Sequence, residues 1–265
     1  MNDTPDDPLP ALLAGSLPGA RRLALSAALN VIGVGAALLL GAAALAESMP
    51  TGGGGFYFYK AFGGYLLLLL PLLASLHAHR PHTRFGSANT VTLVRAAIVC
   101  LLASLYGEQW SANALVVTGV AIFALTLDGV DGWLARLRGT ESRFGARFDM
   151  ETDALLVLVL SLLAWESGRA GAWVLTAGFL RYVFVAAGQV WHWLDRPLPP
   201  SRRRKTVCVL QLIALISCVA PILPDGLRTT AAVAAVAMVS ASFAVDIAWL
   251  SRRRHLPLAD GDAAA

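Results

Sequence analysis

The sequence predicts an all-α polytopic membrane protein with eight spans, and three observations carry that prediction. Hydrophobic residues make up 57% of the 265 positions and charged residues only 14%, with a mean hydropathy of +0.63. Soluble domains run near a quarter charged. Several apolar runs reach the roughly 17–25 residues that a helix needs to cross the hydrocarbon core. The arginines, finally, fall mainly in alternate connections between those runs.

The spans are expected at about 23–46, 56–77, 90–106, 112–130, 149–166, 171–191, 206–223 and 228–250. Ahead of the first, residues 1–20 are acidic and then Pro- and Gly-rich, which reads as a disordered tail. That segment lacks the basic start of a signal peptide, so the first apolar run reads as an uncleaved span. TGGGG at 51–55 reads as a flexible turn, and Pro71 falls inside the second span, where it favours a kink. Residues 79–89 carry too little apolar surface to span and read as an interfacial lead into the third helix. The C-terminal tail, 251–265, begins basic and continues without apolar pattern.

Orientation follows from the basic residues. Arg21 and Arg22, the stretch 77–85, the loop 136–147, residues 195–205 and residues 251–255 are rich in Arg. The connections between them, 47–55, 107–111, 167–170 and 224–228, carry two Arg in all. The basic set falls on one face of an eight-span chain. That face is expected to be cytoplasmic, with both termini there.

The same distribution explains the net charge of +4, so topology and not nucleic acid accounts for the basic balance. Cys100, Cys208 and Cys218 all lie inside apolar runs without metal-ligand spacing, and read as buried thiols that pack as small hydrophobes. His77, His79 and His82 sit at a basic helix end and read as interfacial anchors rather than a metal cluster. Trp191 and Trp193 fit an aromatic belt.

Residues 127–153, LDGVDGWLARLRGTESRFGARFDMETD, break this pattern. An Asp facing lipid at mid-membrane costs about 2.5–3.5 kcal/mol, so four would cost on the order of 10 kcal/mol. Asp128, Asp131, Asp149 and Asp153 must therefore face one another, a cation, or water. Asp128 and Asp131 are three apart and Asp149 and Asp153 four apart, so each pair shares one helix face. Gly145 extends the second face by a turn. Gly132 and Ala135 are small enough to let a helix or ligand approach closely. Gly139 and Thr140 allow a turn, so that two antiparallel helices point both pairs into one cavity. Four carboxylates there stay ionised only with positive charge among them. Oxygen donors suit Mg²⁺, Mn²⁺ or Ca²⁺ rather than zinc. Two divalent ions would neutralise the set, a recurring device in phosphoryl chemistry. Arg136, Arg138, Arg143 and Arg147 add a rim that attracts phosphate.

From Asp128 to Asp153 the chain matches D-x2-D-G-x2-A-R-x8-G-x3-D-x3-D at all eight fixed positions within 26 residues. This closely resembles the signature of the CDP-alcohol phosphotransferases. Upstream, Ala88-Asn89-Thr-Val-Thr92-Leu-Val-Arg95 is similar to the family's P-N-x-L-T-x2-R entry to its first core helix, with Ala88 in place of proline and Val91 in place of leucine. Arg204-Lys205-Thr206 with Gln211 resembles the start of its fifth core helix.

The resemblance implies a six-helix catalytic core over 79–250, with 21–78 as two additional transmembrane helices. It implies attack by an alcohol hydroxyl on the phosphate nearest the alcohol moiety of a CDP-alcohol, with release of CMP. Asp128, Asp131, Asp149 and Asp153 would hold two Mg²⁺ or Mn²⁺ ions, with Asp153 also the catalytic base. Gly132, Ala135, Arg136, Gly145, Asn89 and Thr92 would form the nucleotide surface, and Arg204 and Lys205 would bind phosphate or the acceptor. The expected donor is CDP-diacylglycerol, and the acceptor a small polar alcohol such as glycerol 3-phosphate, inositol phosphate or serine. A homodimer in the bacterial inner membrane, without a nucleic-acid partner, is also implied. A rival reading, an ion-coupled transporter, predicts acids near mid-membrane and broken helices; these acids cluster instead beside an Arg-rich loop.

Overall fold

The computed structural model describes residues 9–48, 54–75, 85–138, 142–199 and 201–254, without side-chain detail for 9–20, 48, 54–55, 75, 130–138 and 143. Eight α-helices and no strand occur among the described residues. They are α1 (Leu9–Ser48), α2 (Gly54–Ser75), α3 (Ser87–Ala103), α4 (Ala114–Arg138), α5 (Arg143–Glu166), α6 (Leu175–Val190), α7 (Arg202–Val219) and α8 (Asp225–Arg253). The chain is thus an all-α polytopic membrane protein. Five stretches are both long and apolar enough to cross a bilayer: Arg21–Glu47, Phe56–Ala74, Trp110–Gly129, Ala172–Val190 and Asp225–Arg253. The other three helices fall short for plain reasons. α3 has 17 residues, α5 opens on charged turns, and α7 opens on four basic residues.

Helix limits differ from the hydropathy limits where good helix formers are polar. α1 begins at Leu9, inside the expected tail, with Pro10 in the first turn, where its missing N–H costs nothing. α5 begins at Arg143, six positions before the expected span, so Gly145, Asp149 and Asp153 share one unbroken helix. α4 likewise continues through Asp131, Gly132, Ala135 and Arg136 to Arg138. Pro71 lies within α2. Residues 51–53, His77, His79, His82, Gly139, Thr140 and 255–265 lie outside the described residues.

The chain divides into two compact units, Met1–Ser104 with Phe123–Thr152 and Leu105–Ile122 with Asp153–Ala265. The division cuts α4 and α5, so each of those helices belongs to both.

In the first unit α1, α2 and α3 pack on one another. The buried stripe of α1 is Leu23, Ala27, Val34, Leu38, Ala42 and Leu45, and that of α2 is Tyr57, Ala61, Tyr65, Leu69 and Leu72. Both repeat at steps of three, four or seven residues, the signature of a one-sided helix. Their other faces expose Leu29, Ile32, Leu40, Phe56, Leu67 and Leu70, as lipid-facing helices do. Glycines mark the close approaches: Gly35 lies under the Tyr65 ring, Gly41 faces Leu101, and Gly64 faces Cys100. Tyr65 spends its hydroxyl proton on the Val31 carbonyl, 2.9 Å away.

In the second unit α7 and α8 run along each other, and α6 also packs on α8. A β-carbon at Gly178 of α6 would lie 2.7 Å from Leu158 Cα, so the α5 backbone passes against it. Gln211 of α7 donates to the Ala177 carbonyl at 3.2 Å. Cys100 and Cys218 are buried free thiols, as the sequence leads one to expect. Cys208 is half-buried and borders the acidic site.

Candidate active site

The site is assembled from three helix segments. Ser142 opens α5: its Oγ accepts from the Gly145 N–H at 3.0 Å, and its carbonyl accepts from the Ala146 N–H. This side-chain cap satisfies a donor that the helix itself leaves open. It fixes where the turns carrying Gly145, Asp149 and Asp153 begin. One oxygen from each of Asp128, Asp149 and Asp153 lies within 4.8 Å of the others. Asp131 follows Asp128 by three residues on the same unbroken helix. The side chains of Asp131, Gly132, Ala135 and Arg136 lie outside the described residues.

Arg95 of α3 ties two of these acids together. Its Nη2 lies 3.1 Å from Asp128 Oδ1 and its Nη1 2.5 Å from Asp149 Oδ1. The Arg95 side chain is 1% exposed, whereas Asp128 and Asp149 are 24% and 39% exposed. The guanidinium therefore lies beneath the carboxylates, and the carboxylates face outward. A planar fork is suited to bridging two acids in a way that an ammonium is not. Sequence reading assigns Arg95 no role beyond the motif, although an arginine inside an apolar helix is costly enough to be a signal.

Asn89 and Thr92 lie on the same helix as Arg95, both buried. Asn89 Nδ2 donates to the Phe85 carbonyl at 2.6 Å, while Thr92 donates to the Ala88 carbonyl at 3.2 Å. A β-carbon at Gly145 would stand 2.7 Å from Asn89 Oδ1. The structure thus brings Asn89 and Gly145, expected on one nucleotide surface, into direct apposition. Phe85 meets Phe144 edge-on, and Phe144 stacks on Phe148.

Asp153 stands one turn beyond Asp149, and Cys208 Sγ lies 3.9 Å from its Oδ2. Sequence alone places Cys208 simply among apolar neighbours. Arg204 and Lys205 lie on the first turn of α7. Arg204 is held by Asp246 of α8 at 3.4 Å and by the Pro199 carbonyl. Its neighbour Arg203 reaches Asp246 at 2.5 Å and Ser242 Oγ at 2.7 Å. Lys205 is exposed. Asp246, buried in a span, is thus the acid that organises this basic turn, and no motif in the sequence announces it.

The acidic cluster suits a hard divalent cation. Its donors are all carboxylate oxygens, they converge, and the Arg95 charge offsets only one of the three acids. Asp128, Asp149 and Asp153 can therefore hold a metal ion.

The family model described as CDP-alcohol phosphatidyltransferase matches residues 85–245. A protein of Pseudomonas fluorescens named CDP-diacylglycerol--glycerol-3-phosphate 3-phosphatidyltransferase is 30% identical over 136 residues, which cover 48% of this chain and 69% of that protein. No solved structure matches the chain. With Asp128, Asp149 and Asp153 of the signature converging and more than half of the chain covered by the family model, this protein belongs to the CDP-alcohol phosphatidyltransferase family.

Proposed function

We propose that this chain transfers the phosphatidyl group of CDP-diacylglycerol to the hydroxyl of a phosphorylated polyol, with glycerol 3-phosphate the first candidate. Membership of the family makes it a transferase of phospholipid synthesis that uses a CDP-alcohol. The observation that carries the site is the convergence of Asp128, Asp149 and Asp153 above the buried Arg95. The rival reading as an ion-coupled transporter is set aside by family membership.

In the proposed step the acceptor oxygen attacks the phosphorus that bears diacylglycerol. The bond from that phosphorus to the bridging oxygen breaks, and CMP leaves with the oxygen. The hydroxyl proton passes to the Asp153 carboxylate. Phosphoryl transfer of this kind is largely a matter of positioning and charge neutralisation. When bound, two Mg²⁺ or Mn²⁺ ions held by Asp128, Asp131, Asp149 and Asp153 would offset the charge of the pyrophosphate. Arg95 keeps Asp128 and Asp149 in register. Gly132, Ala135, Arg136, Gly145, Asn89 and Thr92 form the nucleotide surface in this reading.

The acceptor's phosphate is assigned to the start of α7. Arg202, Arg203, Arg204 and Lys205 crowd its first turn, where the helix dipole is already positive. A cluster of cations at that end is favourable only opposite anions. Asp246 supplies one, and a phosphate reaching Lys205 and Arg204 would supply the other. The name of the Pseudomonas relative supports glycerol 3-phosphate. The proposal places residues 79–250 as the catalytic domain, 21–78 as an appended helix pair, and the site and both termini on the cytoplasmic side, in a homodimer.

Purified protein with Mg²⁺ or Mn²⁺, CDP-diacylglycerol and separate acceptors (glycerol 3-phosphate, inositol phosphate, serine) tests this. The expected product is phosphatidylglycerol phosphate, identified by mass, with one CMP per lipid. Product with serine alone would overturn the acceptor. CMP release that survived Asp149→Asn or Asp153→Asn would overturn the site.

A further inference from the structure

The family match begins at residue 85, so α1 and α2 lie outside it. Yet α1 reaches into the opening turn of the matched region at two points. Ser26 Oγ accepts from the Phe85 N–H at 2.9 Å, and the single Thr90 hydroxyl proton is shared between Asn30 Oδ1 at 2.7 Å and the Gly86 carbonyl at 2.9 Å. Asn30 is itself oriented, because its Nδ2 donates to the Ser26 carbonyl at 2.7 Å. With the amide nitrogen so engaged, Oδ1 is the atom left to face Thr90. The two contacts bracket Asn89.

The turn they grip is held from within at its carbonyls but not at its leading N–H groups. Gly86, the residue before α3, has φ +83°, a left-handed conformation that favours glycine, and α3 has no side-chain cap. The Phe85 carbonyl is the acceptor for Asn89 Nδ2 at 2.6 Å, and the Gly86 carbonyl accepts from the Thr90 N–H at 3.1 Å. A chain of contacts therefore runs from Ser26 to the Phe85 N–H, through the Phe85 backbone to its carbonyl and Asn89, and from Asn89 to Gly145. Moving Phe85 moves the carbonyl that aims the Asn89 amide.

We propose that Ser26 and Asn30 are positioning residues for the donor-binding turn, so that the appended helix α1 forms part of the machinery that sets CDP-alcohol affinity. This rests on the reading of Asn89 and Gly145 as nucleotide surface. α1 acts through the turn and does not itself touch the donor.

The test uses the full chain in detergent micelles and two readouts. Hydrogen exchange across 85–90 reads the clamp without turnover. Protection of the Phe85 amide is expected to fall in Ser26→Ala and to return in Ser26→Thr, which keeps the hydroxyl. Steady-state kinetics then read its consequence. Ser26→Ala and Asn30→Ala are expected to raise KM for CDP-diacylglycerol about three- to tenfold, the factor a single neutral hydrogen bond commonly commands. KM for the acceptor should stay put, and Asn30→Ala with Thr90→Val should be no worse than Thr90→Val alone, because Thr90→Val already removes the bond to Asn30 along with the one to Gly86. Unchanged protection at Phe85 overturns the clamp. So does a loss in kcat and both KM values that merely follows the melting temperature. If protection falls as expected while the unaltered chain releases no CMP from CDP-diacylglycerol, the clamp stands as structure, its role in donor affinity is overturned, and the donor reading fails with it.

Discussion

Asn89 Oδ1 occupies space that any side chain at position 145 would need, 2.7 Å from where a β-carbon on Gly145 would stand. The Asn89 amide cannot easily yield, because its Nδ2 is bound to the Phe85 carbonyl in a buried setting. Gly145→Ala is therefore expected to push Asn89 off that carbonyl. Overpacking of this kind costs about 1–3 kcal/mol. If the contact belongs to donor binding, KM for CDP-diacylglycerol should rise about tenfold, the equivalent of 1.4 kcal/mol. Kinetics over a donor series beside a melting curve check this, and an unchanged KM would remove Gly145 from the nucleotide surface.

Arg95 bridges Asp128 and Asp149 from below. Arg95→Ala leaves both carboxylates without their common partner, and breaking a buried pair costs about 3 kcal/mol. The melting temperature in the presence of EDTA should fall clearly. Added Mg²⁺ should recover more of it than in the unaltered chain, since a ligand that binds only the folded state stabilises by mass action. Arg95→Lys keeps the charge but cannot span two acids, so turnover should stay at least about tenfold below normal.

Metal dependence is expected to follow the carboxylates. EDTA should abolish CMP release, and Mg²⁺ or Mn²⁺ should restore it. Without substrate, either ion should raise the melting temperature of the unaltered protein. Asp149→Asn should weaken that shift markedly, because it removes a converging anionic oxygen. A full metal-induced shift in the variant would move the ion to other ligands.

Gly178 offers a control away from the chemistry. A β-carbon there would meet Leu158 Cα at 2.7 Å and Ser161 Oγ at 2.8 Å. Gly178→Val should cost about 1–3 kcal/mol of stability by forcing α5 and α6 apart. The folded remainder should keep normal KM values for both substrates. Thermal unfolding and active-site titration separate the two effects.

Much of the fold is legible in the order of residues, because hydropathy is local. A run of about twenty apolar residues announces its own helix. Where helices outrun their apolar stretches, hydropathy misplaces the ends. α7 opens on Arg202–Lys205, residues that form helix well but read as loop. α5 starts where Ser142 caps it, several positions before the first apolar run.

The acidic cluster was also legible, since three- and four-residue spacings put side chains on one face whatever surrounds them. Arg95 and Asp246 were not. Each is an isolated charge in an apolar helix, and its meaning depends on a partner far along the chain. The same holds for Ser26 and Asn30, ordinary polar residues in a span until Phe85 and Thr90 are seen beside them.

By itself, then, the sequence determined the helical class and the shared faces of the aspartate pairs, which follow from covalent periodicity and lipid exclusion, and it carried a signature that resembles the family's. The tertiary structure decided which cation lies under those aspartates, which amide meets Gly145, and which helix outside the family region grips the entry to α3. Those pairings join residues from 33 to 60 positions apart. They exist only once particular helix faces have packed, and no local rule of the chain specifies that choice.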